Sequence, residues 1–164
     1  MGRKALLRSC VALIAIALAG CPAKTQVEAP AAPVEDPDAD LVTYTWLVVE
    51  HLRVKGASIA EADANGFHGR TIVVVANGFA SPWQPGCEKA TREKRSRELN
   101  ELFGELKIEK GGPSKAAAFG MTSDLFEFRM TCADRGTPLI IWVGGKHAMT
   151  CFSGACYLLK RFED

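Results

Sequence analysis

Two cysteines flank a Ser-Gly pair in the stretch Thr150-Cys151-Phe152-Ser153-Gly154-Ala155-Cys156-Tyr157, and no other feature constrains the fold as tightly. With Ser153-Gly154 as a two-residue loop, Phe152 and Ala155 make the first hydrogen-bonded pair of an antiparallel hairpin. Cys151 and Cys156 then stand opposite each other as the next, non-hydrogen-bonded pair, with Cα atoms about 4.5 Å apart. That spacing lies at the short end of the disulfide range of about 4.4–6.8 Å. Ser-Gly is a weaker turn signal than Asn-Gly because serine resists positive φ, yet a four-residue loop would also leave the two sulfurs close. A bridge forms here only in an oxidising compartment, and the N-terminus speaks to the compartment.

Arg3, Lys4 and Arg8 precede the short apolar run of Ser9-Cys10-Val11-Ala12-Leu13-Ile14-Ala15-Ile16-Ala17-Leu18-Ala19-Gly20. A basic start, a short apolar run and a small-residue end describe a secretory signal peptide. The run is too short for a membrane span, which takes about 20 apolar residues.

Leu18-Ala19-Gly20-Cys21 resembles the lipobox of bacterial lipoproteins. The resemblance covers the first 21 residues and implies nothing about the rest. It implies removal of residues 1–20, a thioether-linked diacylglycerol on Cys21, and often a third acyl chain on its new amino group. Two or three chains, at about 0.8 kcal/mol per buried methylene, anchor a protein durably where one does not. By the same resemblance, Pro22 is not the aspartate that retains such proteins in the inner membrane. The expected location is the cell envelope, on the periplasmic face of the outer membrane in a Gram-negative cell. No other cofactor is expected.

Residues 22–40 carry Pro22, Pro30, Pro33 and Pro37 among alanines and acids, so 21–40 reads as a lipidated cysteine and a tether with too little apolar bulk to order itself. At about 3.1 Å per residue, such a proline-rich segment reaches at most roughly 60 Å. One lysine against five acids would repel an anionic lipid surface and hold the following domain away from it.

With Cys10 leaving in the signal peptide and Cys21 consumed by lipid, four cysteines remain. Four in an exported domain read as two disulfides. The hairpin predicts Cys151–Cys156, and elimination leaves Cys87–Cys132. The rival is a zinc set of His147, Cys151, Cys156 and Cys132, which lacks the usual paired spacing.

Residues 41–164 form one expected globular domain with 16 Lys+Arg against 14 Asp+Glu, a balance that gives no argument for nucleic acid. Residues 40–56 read as a helix that Asp40 could cap, although Val-Thr-Tyr-Thr-Trp-Leu-Val-Val also fits a strand. Residues 58–64 read as a helical turn, and Arg70–Asn77 as a buried strand. Cys87–Gly104 reads as a helix with Leu99, Leu102 and Phe103 on its buried face, and with Glu93–Arg97 and Lys94–Glu98 spaced for pairing across a turn. Strands are expected at 105–110, 117–121, 124–133, 137–144, 147–152 and 155–161, with Phe126, Phe128 and Met130 on one face. The predicted class is α+β, a small antiparallel sheet with one or two helices packed on one face.

Candidate sites are sparse. Glu61, Asp63, Asn65 and Gly66 resemble the start of a calcium loop, but the twelfth position is Ile72, where a carboxylate is needed. An Asn-Gly turn is the simpler reading. His51, His68 and His147 have no nucleophile or acid at a recognisable spacing, and surface solvation is expected for all three. His68 in a glycine-flanked loop is the most exposed in prospect, and a pocket joining His68 or His147 to Asp124 or Glu127 would point to catalysis. Lys89, Arg92, Lys94, Arg95 and Arg97 read as a solvated helix face with acids interleaved. Lys110-Gly111-Gly112-Pro113-Ser114-Lys115 reads as a turn, without the spacing of a phosphate-binding loop. Trp83 is expected to pack on the core, with an exposed contact role as the alternative. No metal or catalytic residues are assigned. The sequence therefore favours a membrane-anchored binding or assembly component, partnered by an envelope protein or a cell-wall component. An envelope hydrolase or redox enzyme with an unrecognised site is the alternative.

Overall fold

The computed structural model describes residues 39–57 and 59–162. The expected signal peptide, Cys21 and the expected tether through residue 38 lie outside the described residues. Eight strands and four short helices follow one another: α1 (Ala39–Val42), β1 (Thr45–Arg53), α2 (Glu61–Asn65), β2 (Thr71–Val75), β3 (Gly78–Ala80), β4 (Ala90–Glu98), α3 (Leu99–Glu105), α4 (Gly112–Phe119), β5 (Asp124–Cys132), β6 (Leu139–Gly144), β7 (His147–Phe152) and β8 (Ala155–Arg161).

One antiparallel sheet runs in the order β3-β2-β1-β8-β7-β6-β5-β4 and curls until its ends nearly meet. At the seam, Phe79 and Cys87 exchange backbone hydrogen bonds of 2.8 and 2.7 Å, and the Ala90 amide donates to the Asn77 carbonyl at 2.8 Å. Beyond that point a side chain spans the gap. The Arg92 guanidinium donates to the carbonyls of Val75 and Ala76, both at 3.0 Å. The Cys87–Cys132 disulfide ties the same seam to the end of β5.

The architecture corrects the expected α+β class. The fold is a nearly closed eight-strand antiparallel barrel, not a small sheet with packed helices. Cys87–Gly104 is not a single helix, because β4 occupies Ala90–Glu98 and only Leu99–Glu105 is helical. Lysine, arginine and glutamate favour helices weakly, and continuous pairing with β5 outweighs that preference. Residues 40–56 form α1 and then the strand β1, as their β-branched and aromatic run allows. Residues 117–121 close α4 rather than forming a strand, and of Lys110–Lys115, expected as a turn, Gly112–Lys115 open the helix, with Pro113 in the first turn where its missing N–H costs nothing. Of residues 105–110, only Ile108 bridges to the sheet, opposite Val54.

Two apolar clusters account for the curl. Inside the barrel, Trp46, Val48, Ile72, Val74, Phe128, Met130, Ile141, Tyr157 and Leu159 are buried together. On the outer face, Leu99, Leu102, Phe103 and Ala116 of the two central helices cover Leu52, Leu125, Trp142, Met149 and Leu158. Strands β6 and β8 are thus buried on both faces, and they read as nearly continuous apolar runs for that reason. Gly120 ends α4 with φ 102°, and a Cβ there would lie 2.7 Å from the His147 ring, so α4 can approach β7 only through glycine.

Strand β1 serves both clusters through a bulge. Val48 pairs with Leu159, but Glu50 pairs with Leu158, so one extra residue, Val49, enters the strand. The bulge inverts the side-chain alternation. Trp46 and Val48 point inward before it, whereas Leu52 points outward beneath the helices and His51 faces inward beside Tyr157.

Candidate functional site

The barrel is capped by rings at the end where β7 turns into β8. The turn is tight: Ser153 and Gly154 adopt φ 51° and 85°, the left-handed pair that a two-residue hairpin loop requires. Phe152 pairs with Ala155 and Cys151 with Cys156, whose Cα atoms are 3.9 Å apart and whose sulfurs are bonded. From the inner face of this hairpin rise Phe152 and Tyr157. Trp83, from the loop after β3, lies nearly parallel to both, 5.6 Å from Phe152 and 5.2 Å from Tyr157 between centroids. Phe67 meets Trp83 and Tyr157 edge-on, each at 5.5 Å. Trp83 is therefore half-buried over the core and also lines a groove of about 460 Å³ with Phe79, Gln84, Arg135 and Phe152. Two polar atoms in this region lack hydrogen-bond partners, the Gln84 amide nitrogen and the Tyr157 hydroxyl. Burial raises the Tyr157 phenol above its ordinary pKa.

Beside the rings lies a polar chain. His51 is 6% exposed, which corrects the expectation that all three histidines are solvated. Its Nδ1 is 3.0 Å from His68 Nε2, and its Nε2 is 3.3 Å from Glu61 Oε1. Arg53 Nη1 holds the other Glu61 oxygen at 3.0 Å. Desolvation acts to raise the Glu61 carboxyl, but the charges and hydrogen bonds of His51 and Arg53 outweigh it and hold the group below its ordinary pKa. Burial, and then the charge of His51, push His68 below its ordinary value. A cleft of about 420 Å³ opens alongside, lined by His51, Arg53, Glu61, Lys110 and Lys115. Lys115 is paired with Glu50 at 2.6 Å.

The proton logic of this chain follows from its partners. An ionised Glu61 can only accept, so His51 presents Nε2–H to it, and the remaining His51 nitrogen meets His68. One proton between the two imidazoles satisfies both. The arrangement can orient and relay a proton, but no hydroxyl or thiol is bonded to either imidazole among the described residues.

Other expected site residues are scattered. His147 packs against the Phe119 ring at 4.8 Å and forms no ion pair with an acid among the described residues. Glu127 is buried on the outer face, where it accepts from Arg95 at 2.7 Å and from the Trp142 indole at 2.9 Å. Asp124 stands exposed at the start of β5, so neither acid joins a histidine. The four zinc candidates are not gathered, since Cys132 and the Cys151–Cys156 pair belong to separate disulfides. No group of three or more His, Cys, Asp or Glu able to hold a metal occurs among the described residues. Glu61 turns to His51 and Arg53, and Ile72 is fully buried in β2.

The basic residues expected on one helix face divide between the two faces of β4. Arg92 and Lys94 pair opposite Met130 and Phe128 on the inner side, and Arg95 and Arg97 lie on the outer side. Lys94 sits 4.0 Å over the Phe126 ring, Arg95 binds Glu127, and Arg97 binds Glu105. Charges along a strand at an open seam block edge-to-edge pairing with other chains, which accounts for the composition of β4. Comparison with known protein families, curated proteins and solved structures yields no match.

Proposed function

We propose that the chain is a lipid-anchored envelope protein whose disulfide-stabilised barrel acts as a binding or assembly component. The observation that carries the reading is Leu18-Ala19-Gly20-Cys21 behind a short apolar run with a basic start. On this reading, Cys21 bears the diacylglycerol and N-acyl lipid, residues 22–40 space the barrel from the periplasmic face of the outer membrane, and the partner is an envelope protein or a cell-wall component. Two disulfides suit an oxidising compartment. The ring-lined groove offers stacking surface to a ligand. Growth with labelled palmitate followed by membrane fractionation tests the anchor. Label and membrane association in the wild type, both lost in Cys21→Ala, are expected; a labelled, membrane-bound Cys21→Ala protein overturns the reading.

One observation favours a second reading. The Glu61–His51–His68 chain beside a cleft is an arrangement that could activate water for hydrolysis. Turnover of an envelope ester, amide or glycoside, abolished in His51→Gln, would establish it over the binding role.

A further inference from the structure

His68 and Phe67 are adjacent in the turn between α2 and β2, and they face different neighbours. Phe67 closes over Trp83 and Tyr157, while His68 meets His51. The turn is pinned behind them by the Gly69 amide on the Val48 carbonyl and the Val48 amide on the Arg70 carbonyl, both at 2.9 Å. Ahead of them, Glu61 is held by His51 and Arg53. Within the turn the Phe67 amide donates to the Ala64 carbonyl at 3.3 Å and the His68 amide to the Asn65 carbonyl at 3.0 Å, and the only side-chain hydrogen bond of His68 among the described residues is the one to His51.

We propose that the His51–His68 contact is an acid-released latch that holds Phe67 over the ring-lined end of the barrel. The contact needs one proton between the two facing nitrogens, and it fails when each nitrogen carries its own. With the shared proton on His51 Nδ1, a proton that enters at His68 Nε2, the atom already in contact, sets two N–H donors head to head.

The groups around the pair set the direction of the pH effect. Glu50 and Glu61 favour charge on His68, while burial, His51 and Lys115 oppose it, and the balance lowers its pKa. Tyr157 faces His51 from β8 and remains neutral, since burial raises it. A histidine depressed in the folded state lends stability above its ordinary value of 6.5, and loses it as pH falls through the folded value. Release frees Phe67 from Trp83 and Tyr157. The latch itself requires no ligand and stands apart from the binding role proposed above.

NMR of the mature chain without any ligand, between pH 8 and pH 5, tests the latch. In the wild type, His68 should titrate with a midpoint below 6.5. The cross-relaxation contacts from the Phe67 ring to Trp83 and Tyr157 should be lost with the same midpoint. In His68→Gln, whose amide can donate to or accept from His51 Nδ1 and does not titrate, those contacts should persist to pH 5. Contacts that survive the titration of His68, or that vanish at the same pH in His68→Gln, overturn the proposal. If His68→Gln does not fold, coincidence of the two wild-type midpoints decides alone, with His147 as the reference for a histidine outside the cluster. Loss of the contacts at a pH removed from the His68 midpoint also overturns it. Because no ligand takes part, failure of the latch leaves the binding role standing, and failure of the binding role leaves the latch standing.

Discussion

The two disulfides sit at opposite extremes of what a crosslink can do. Cys87–Cys132 joins residues 45 apart in sequence, and it does so at the seam where the barrel closes through three backbone hydrogen bonds and the reach of Arg92. Cys151–Cys156 joins residues 5 apart, inside a hairpin already fixed by its turn and by its ladder. In chain-entropy terms, the first removes about 4 kcal/mol of freedom from the unfolded state and the second about 2. The difference teaches where this fold is weak. The hairpin forms by local chemistry and would survive without its crosslink. The seam brings together distant segments with few backbone bonds, and its strand β4 offers charge rather than apolar burial.

Removing Cys87–Cys132 as a double alanine variant should have the largest effect. The denaturant midpoint should fall by the equivalent of about 4 kcal/mol, with hydrogen exchange at Ala90–Glu98 rising first. Removing Cys151–Cys156 in the same way should cost about 2 kcal/mol and leave exchange at the seam unchanged. Equal costs, or a seam that opens only in the hairpin variant, would break the comparison. Glu127→Gln sharpens it from the β4 side. Arg95 is 59% exposed, so its ion pair is discounted for solvent screening, and the loss expected is about 1 kcal/mol. The smallest effect belongs to His68→Gln, which should leave unfolding at pH 7.5 within about 0.5 kcal/mol of wild type. The same substitution should flatten the decline of stability below pH 6.5.

What was legible in the sequence follows the same division. The β7–β8 hairpin was readable because its turn, its alternation and its cysteine spacing are all local. Strands β2, β5 and β6 were readable from apolar runs. Strand β4 was not, because Thr91–Glu98 carries helix-favouring charged residues at a spacing that also suits pairing across a helical turn, and only its partner β5 makes it a strand. Its charges become intelligible once the position at the seam is known. His51 was missed for a different reason. Regular alternation from Trp46 would place it outside the barrel, and the bulge at Val49 reverses that assignment. The bulge is set by competition between the two apolar clusters for one strand, a tertiary effect with no local mark. The one available hint was the strand-like run from Val42 to Val49, which already competed with the helical reading.

The binding role is tested most directly by photo-crosslinking in intact cells, with a photoreactive residue replacing Gln84 in the groove and, as control, Lys107, which is exposed and does not line the groove. The account predicts a discrete adduct of an envelope protein or cell-wall fragment from position 84, identified by mass spectrometry, and none from position 107. Adducts of equal yield and identity from both positions, or none from position 84 in a correctly anchored protein, would contradict it.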